Sequence, residues 1–231
     1  MRKIHSKRYT ADAEKATKEV LSLDAAVKKV KSFGSTKFDQ TVDCVMHLGI
    51  DPKQADQMIR GAISLPNGIG KARRVIAFCE DSSADAAKAA GAIEAGCDEL
   101  IAKVADGWLD FDVAIASPKV MGKAGKLGRV LGPQGKMPSP KNGTVTADVI
   151  TAVKEFSAGK VEFRNDSGGN IHAIVGKLSF DENKLSENLM EFIDCIKKMK
   201  PSAMKGTYIK KICISATMSP GVLIDVAAVT A

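Results

Sequence analysis

Apolar and polar residues alternate along residues 41–48, TVDCVMHL, and this period of two predicts a half-buried strand. One face carries Val42, Cys44, Met46 and Leu48, while the other is largely polar. Such a strand belongs to a sheet that has one face against a core and the other face open. The pattern therefore predicts a sheet with an exposed polar face in this part of the chain.

Helical patterns flank this strand. We predict a helix over residues 10–20 and a second that begins with Ser22 or Asp24 as its cap. After the strand, Asp51-Pro52 has the form of a cap followed by proline in the first turn, which predicts a helix to about Gly61.

The middle of the chain has a different pattern. Short apolar runs at 75–78 (VIAF) and 111–116 (FDVAIA) are separated by an Ala-rich helical stretch over 83–96 and followed by a predicted helix over 148–159. Apolar strands that alternate with helices indicate a parallel α/β unit whose faces are covered by helices.

From Lys160 the earlier pattern returns. KVEFR (160–164) and NIHAIVGKL (170–178) read as strands joined by the turn NDSGG, so a hairpin is predicted. An apolar stripe predicts a helix over 182–199, and residues 206–218 predict a long final strand.

These elements, together with strand 41–48, predict one sheet into whose domain the α/β unit is inserted. The predicted domains are residues 1–66 with 158–231, and 67–157. Linkers near 66–70 and 157–160 both carry glycine, which is typical of a hinge.

Composition places the chain among folded proteins. It has 231 residues, of which 45% are hydrophobic and 26% charged, and no apolar run reaches the roughly 18 residues of a membrane span. The basic N-terminus never becomes apolar, so a secretory signal is not expected and the cytoplasm is the expected location. The cysteines lack a CxxC pair and are predicted to be reduced core residues: Cys44, Cys79, Cys97, Cys195 and Cys213. The three histidines, His5, His47 and His172, are too dispersed to predict a metal site.

The distribution of charge points to a polyanionic partner. The net charge is +7, with basic residues concentrated in 1–9 (Arg2, Lys3, Lys7, Arg8) and in 197–211, whereas 80–112 carries nine acidic residues against two lysines. Nucleic acid is the first expectation, and an anionic membrane surface the weaker one, since no basic helix has a bulky apolar face.

Residues 122–143, GKAGKLGRVLGPQGKMPSPKNG, combine six glycines, three prolines and five Lys/Arg with no acidic residue. Exposed backbone N–H groups beside positive charge suit an anionic partner, and the Gly and Pro content argues against one long helix. A solvated basic loop without a partner is the alternative interpretation.

Enzymatic chemistry finds little support in the sequence. Each Gly-Lys pair lacks the following Ser or Thr of a Walker A loop, and no GxGxxG opens a helix after a strand. Asp110 and Asp112 flank Phe111 without a base, nucleophile or metal ligand beside them, so a solvated strand end is the better interpretation. We expect no cofactor.

A low aromatic content of 5% makes stacking along single-stranded nucleic acid a poor fit and favours recognition of a folded RNA. Phe38, beside Lys37 and ahead of the first strand, is the one aromatic residue singled out for RNA contact. A staple between helix and strand is the alternative role for it.

The order GKLGRVLGPQGKMPSPKNGTV (125–145) resembles the signature of the family of bacterial large-subunit ribosomal protein one, which belongs to the mobile ribosomal stalk. Further matches follow in family order: TKFDQTVD (36–43), LGIDPKQADQMIRG (48–61), LPNGIGK (65–71), DGWLDFD (106–112), VEFRND (161–166), IHAIVGK (171–177) and TMSPGV (217–222). They span nearly the whole chain.

The resemblance implies a split α+β domain, ferredoxin- or RRM-like and built from both termini, with an inserted Rossmann-like three-layer α/β domain. It also implies a structural ribosomal protein that binds large-subunit rRNA, assists release of exit-site tRNA and represses translation of its own operon mRNA. The free protein is then expected to be a monomer.

Carried over by motif, the RNA-binding residues are Lys37, Phe38, Thr41, Asp166, His172, Thr217 and Met218. A secondary contact is expected in the inserted domain, at Lys126, Arg129, Lys136 and Lys141. Three positions depart from the family pattern, which usually has Glu at Ala25, Lys at Ser167 and Gly at Ser219. We therefore expect retained rRNA binding with modestly changed affinity.

Two other functions stay open from the sequence. One is a nucleotide-binding enzyme that uses the inserted α/β domain. The other is a non-specific polyanion binder, which would keep a salt-dependent affinity but show no sequence preference.

Overall fold

The structure, a computed structural model, describes residues 6–16, 19–34 and 36–230. The chain forms two compact units, one of residues 1–70 with 163–231 and the other of residues 71–162. The domain boundaries predicted after residues 66 and 157 lie a few residues before the boundaries of these two units. The roles assigned to the domains stay predictions. Arg2, Lys3 and His5 of the basic N-terminus lie outside the described residues.

The strands are β1 (Val20–Leu21), β2 (Thr41–Leu48), β3 (Arg60–Ile63), β4 (Val75–Phe78), β5 (Glu94–Gly96), β6 (Val113–Ala116), β7 (Val161–Arg164), β8 (Asn170–Lys177), β9 (Ile209–Ala216) and β10 (Val222–Ile224). The α-helices are α1 (Lys7–Lys15), α2 (Leu23–Lys31), α3 (Asp81–Ala89), α4 (Asp98–Ala105), α5 (Pro118–Ala124), α6 (Gly128–Leu131), α7 (Val149–Ser157), α8 (Glu182–Lys198) and α9 (Val226–Thr230).

A five-stranded sheet of order β1-β10-β9-β2-β8 forms the centre of the first unit. Helices α2 and α8 pack against each other and against its strands. The apolar stripe predicted for α8 is buried there, including Leu185, Leu189, Phe192 and Ile196. The alternation predicted for β2 is confirmed, since its residues are alternately part-exposed and buried along the whole strand. The mixed α/β class expected from the sequence is therefore confirmed.

The pairing of β2 with β8 contains a register shift. Asp43 pairs with Ile174 and Val42 with Gly176, so Val175 is an extra residue on β8 between them. Beyond this bulge Thr41 pairs with Lys177. The strand continues past the bulge without losing its partner on the other side, where β2 pairs with β9.

The helix predicted from Asp51 to Gly61 is wrong. A short 3₁₀ turn, Ala55–Gln57, and then β3 occupy this stretch. The Asp51 carboxylate accepts the main-chain amide of Lys53 at 3.1 Å, and the Asp51 amide donates to the side chain of Gln57 at 2.8 Å. These side-chain bonds stabilise a compact loop instead of a helix. The first helix is also shorter than predicted, because α1 ends at Lys15 and Val20 lies in β1, while residues 17 and 18 lie outside the described part.

The hairpin predicted around NDSGG is not a continuous ladder. Strand β7 pairs with β3 in a separate two-stranded sheet, whereas β8 pairs with β2. Asn165 accounts for the divergence: its amide donates to the Ile59 carbonyl at 3.0 Å and its side-chain oxygen accepts the Ile59 amide at 2.9 Å. One isolated bridge, Asn165 with Ile171, joins the two sides of the turn.

The second unit contains a parallel sheet of order β5-β4-β6. Every residue of β4 and β6 is buried, as expected for parallel strands covered on both faces. Helices α4 and α5 contribute to a core with Ile76 and Phe78, while α3 and α7 contact each other and the strands. The helix predicted over 83–96 ends at Ala89, and β5 takes up its last residues.

Candidate nucleic-acid interface

The open face of the five-stranded sheet brings together residues from distant parts of the chain. Side chains at alternate positions of β2 lie opposite those of β8 and β9, on the face away from the buried row of Val42 and Cys44. From one end of β2 to the other, the rows across the sheet are Lys177–Thr41–Thr217, Ile174–Asp43–Ser215, His172–Val45–Cys213 and Asn170–His47–Lys211.

Thr41 and Thr217 form the first of these rows. The Thr41 amide donates to the Thr217 hydroxyl at 3.0 Å, and the Thr217 amide donates to the Thr41 carbonyl at 3.0 Å. Lys177 extends across from β8, where its ammonium donates to the Thr41 hydroxyl at 2.8 Å. This end of the face therefore presents hydroxyl groups and a positive charge held in fixed positions.

Phe38 lies three residues before Thr41 in the chain, and Met218 directly follows Thr217, so both residues are next to this row. Each is about half exposed, at 49%. Residue 38 is fixed through its own main chain, since the Thr36 hydroxyl donates to the Phe38 carbonyl at 2.7 Å, while next to it the Asp39 carboxylate accepts the Ser179 hydroxyl at 2.7 Å. The Phe38 ring is thus not buried as a staple between helix and strand, and Lys37 beside it is exposed.

Asp166 and His172 lie toward the other end of the same face. His172 pairs with Val45, four residues along β2 from Thr41, which corresponds to about 13 Å at the rise of a strand. The Asp166 carboxylate accepts the amides of Gly168 at 2.8 Å and Asn170 at 2.7 Å, so it organises its own turn. The hydrogen bond from the Asn170 side chain is the main cause that lowers the pKa of Asp166 to about 2.

The predicted residues therefore form two groups on one face, linked by side chains that the motif transfer did not include. Asp43 lies between the groups. Burial raises its pKa, while His172 and Lys177 lower it. His47 lies in the next row beyond that of His172, and its Nδ1 atom is 2.9 Å from Asn170 Oδ1. The alternation along β2 already placed Asp43 and His47 on this face, but nothing in the sequence linked them to Lys177 or Asn170.

One of the three family departures has a local explanation. Ser219, where the family usually has glycine, accepts the Ala216 amide at 2.9 Å and has no positive φ, so the turn after β9 forms without glycine. Ser167 is exposed in the turn of Asp166, and Ala25 is partly exposed on α2.

The glycine-rich segment of the second unit is partly helical, with α5, a 3₁₀ turn and α6 in succession. Its apolar residues Ala124, Leu127 and Leu131 are buried in the core of that unit. Its basic residues divide into two kinds. Lys126, Arg129 and Lys141 are exposed. Lys136 instead donates to the Leu109 carbonyl at 3.0 Å and lies 5.1 Å from the centre of the Phe111 ring.

The acidic stretch 80–112 also neutralises part of the positive charge in and near this segment. Lys123 forms an ion pair with Asp98 at 2.9 Å, and Lys119 pairs with Glu80 at 3.0 Å. Arg74 pairs with Asp110 and Asp112, so this pair of carboxylates serves to hold a strand end.

Other chemistry is not assembled in the described part of the chain. There, no group of three His, Cys, Asp or Glu side chains is placed to hold a metal ion. Within the same ranges, no helix has both the length and the apolar character needed to span a bilayer. The five cysteines are free, and Cys44 and Cys79 are buried as predicted. The other three are only partly buried, although Cys97 packs against the core of the second unit.

The fold and this face define a mixed α/β protein in which a helix-backed sheet presents polar and basic side chains on its open side. The chain belongs to the Ribosomal protein L1p/L10e family, whose model matches residues 9–220. It is 58% identical to the large ribosomal subunit protein uL1 of Rhodopirellula baltica over 217 residues, which cover 94% of this chain and 96% of the relative. The protein of the same name from Cutibacterium acnes is 53% identical over 221 residues, 95% of each chain.

Family membership confirms the class expected from the sequence, a structural ribosomal protein located on the cytoplasmic ribosome. The family is not one of enzymes, so the alternative of a nucleotide-binding enzyme is set aside. The curated relatives have nearly the same length as this chain, which covers 92 to 96% of each.

Proposed function

We propose that this protein is a structural component of the large ribosomal subunit that binds large-subunit rRNA through the open face of its five-stranded sheet. The observation that carries the proposal is the row Lys177–Thr41–Thr217, which is flanked by the half-exposed side chains of Phe38 and Met218. The relatives are named as proteins of the large ribosomal subunit, and this supports the same assembly here.

The chemistry of the face suits a folded RNA. Hydroxyl groups of Thr41 and Thr217 are matched to ribose 2′-OH groups, which both donate and accept. Lys177 and Lys37 supply positive charge for phosphates, and the exposed Phe38 ring offers a surface for a sugar or base. Because Asp43 and Asp166 also lie on this face, binding depends on placement of the partner and not on charge alone.

Two further functions belong to the proposal through the family resemblance. The protein assists release of tRNA from the exit site, and it represses its own operon mRNA when that messenger carries a structure similar to the rRNA site. Competition of two RNAs for one surface explains such repression, since free protein remains for the messenger only when ribosomal sites are filled. The exposed Lys126, Arg129 and Lys141 of the second unit are the proposed secondary RNA contact, and Lys136 is the weakest member of that predicted set because its ammonium group is already engaged.

The test is chemical footprinting of the protein on large-subunit rRNA, repeated with Phe38→Ala and Thr217→Ala. We expect a protected site that weakens in both variants. Protection that persists unchanged in both would overturn the assignment of this face. Affinity for matched and scrambled RNA over a salt series separates specific binding from the polyanion alternative, in which both RNAs would bind alike.

A further inference from the structure

The peptide groups of Met218 are held from both sides, although its side chain is half exposed. Its amide donates to the side-chain oxygen of Gln40 at 3.0 Å, and its carbonyl accepts from Nη2 of Arg8 at 2.8 Å. Gln40 is itself buried, with 2% of its surface exposed. The main chain at Met218 is therefore fixed by the protein, and the side chain is left to project.

Arg8 binds a second segment of the same region. Its Nη1 atom lies 3.1 Å from the Asp12 carboxylate and donates to the Gly34 carbonyl at 3.3 Å. Asp12 is 2% exposed and accepts the Gly34 amide at 2.9 Å, so both polar groups of Gly34 are bound to α1. One guanidinium thereby connects α1 to two places in the chain: Gly34, which precedes Lys37 and Phe38, and the loop of Met218.

The space at Gly34 is matched to this arrangement. A Cβ atom there would come within 2.9 Å of Arg8 Cγ and 3.2 Å of the Asp12 carboxylate. A side chain at position 34 would therefore displace the arginine from its acceptors. The contact is built around a residue without a side chain.

We propose that Arg8 is a positioning residue of the RNA-binding face, through which α1 holds the segment before Phe38 and the loop of Met218 in the geometry that the RNA requires. This inference rests on the proposed function. Arginine suits the role because its planar group donates in several fixed directions at once, which a lysine ammonium cannot reproduce on three separated acceptors. Loops ordered before binding lose less conformational entropy when the RNA arrives.

A direct phosphate contact by Arg8 is the competing explanation, and salt dependence distinguishes the two. A residue that neutralises a phosphate adds about 0.7 to 0.9 to the slope of log affinity against log salt concentration. A residue that only positions others leaves that slope unchanged. Lys7, exposed in the same helical turn, offers a matched control because Lys7→Gln removes the same charge without touching Met218 or Gly34.

The experiment measures affinity for an in vitro transcript of large-subunit rRNA at several salt concentrations, for the wild type, Arg8→Gln, Arg8→Lys and Lys7→Gln. We expect both Arg8 variants to bind about tenfold more weakly, the scale of one lost charge-assisted hydrogen bond, with the wild-type slope. Lys7→Gln is expected to stay within about threefold of the wild type, as is typical of a peripheral charge. A lower slope in Arg8→Gln, restoration by Arg8→Lys, or an equal loss in Lys7→Gln would overturn the inference.

Amide hydrogen exchange in the free protein gives an independent reading of position. The amides of Gly34 and Met218 should exchange faster in Arg8→Gln than in the wild type, and should be unchanged in Lys7→Gln. Gln40→Met, which removes the acceptor of the Met218 amide, should weaken RNA binding while Arg8 stays intact. Each variant is compared below its own melting temperature. If the wild type binds the transcript and Arg8→Gln binds it equally well, the inference alone falls; if the wild type does not bind, the proposed function falls and this inference with it.

Discussion

Asp166 and Asn170 are joined by three hydrogen bonds. The Asn170 amide and side-chain amide donate to the two carboxylate oxygens of Asp166 at 2.7 and 2.9 Å, and the Asp166 amide donates back to the Asn170 carbonyl at 2.8 Å. The turn that leads into β8 is thus closed by one side chain, and its order depends on the charge of that side chain.

This relationship predicts a specific dependence of stability on pH. The folded protein holds the pKa of Asp166 at about 2, below its ordinary value of 3.8. Because the folded state favours the charged form, the stabilisation is complete above the ordinary value and is lost as pH falls from about 4 toward 2. We expect Asp166→Asn to have a lower free energy of unfolding than the wild type at pH 7, by a difference that shrinks over that interval. Denaturant titrations at several pH values measure it, and a constant difference from pH 7 to pH 2 would contradict the prediction.

For Asp43 we expect the opposite dependence of folding stability on pH. Burial raises its pKa, so the charged carboxylate is disfavoured in the folded state and protonation as pH falls stabilises the fold. Asp43→Asn should therefore unfold at a free energy equal to or above that of the wild type at pH 7, and the two should converge below the ordinary pKa of 3.8. The variant should also bind rRNA more tightly, because a negative charge leaves the face. Weaker binding by the variant would indicate that Asp43 accepts a hydrogen bond from the RNA.

The Thr217 hydroxyl should be separable into its structural and its binding roles. Thr217→Ala removes the acceptor of the Thr41 amide, and we expect a loss of about 0.5 kcal/mol in the free energy of unfolding, since water can replace an exposed partner. Thr217→Ser retains the hydroxyl and should restore both stability and rRNA affinity. If Thr217→Ser binds as weakly as Thr217→Ala, the methyl group and not the hydroxyl is the contact.

Gly49 and Gly122 differ in the space available for a side chain. A Cβ atom at Gly49 would overlap the main-chain carbonyl of Thr207, whereas one at Gly122, within α5, would meet nothing within 4 Å. Gly49→Ala should therefore destabilise the protein by about 2 kcal/mol, as expected for overpacking against backbone. Gly122→Ala should stabilise it by up to about 1 kcal/mol through helix propensity. Melting curves of the two variants should shift in opposite directions.

The basic residues of the glycine-rich segment should differ in role according to whether their side chains are exposed or already engaged. Replacing Lys126 and Arg129 by Gln should lower the salt slope of RNA binding by about 1.5 if both neutralise phosphates, with little change in stability. Lys136→Gln should lower the melting temperature instead, because it loses the Leu109 carbonyl and the Phe111 ring. An unchanged slope in the double variant would remove the secondary contact from the proposed function.

The sequence predicted the elements whose pattern is carried by their own side chains. Strand β2 and helix α8 were predicted almost to their ends because each has one apolar face that extends over several turns or pleats. Strands β1, β5 and β10 have only two or three residues, which is too short to show a readable period in the sequence.

The candidate face was predicted only in part for a related reason. Its residues were identified by motif, one segment at a time, whereas their grouping depends on strand register and on side chains that cross the sheet. The roles of Lys177 and Gln40 depend on their hydrogen bonds to Thr41 and Met218, respectively. The partners are more than 100 residues apart in the chain, so no local sequence pattern indicates either contact. The same holds for Asn165, whose bonds to Ile59 directed β7 away from the predicted hairpin.

The bulge at Val175 determines which side of the sheet Lys177 occupies. Along β8, His172 and Ile174 face the open side, and by even counting residue 176 would follow them while Lys177 would point among the helices. One additional residue changes that parity and delivers the ammonium group to Thr41. A bulge of one residue thus reverses the face of the sheet on which every later side chain of that strand lies. Deleting Val175 would remove the bulge and place Lys177 two positions after Ile174, so regular alternation alone would keep its ammonium group on the open side beside Thr41.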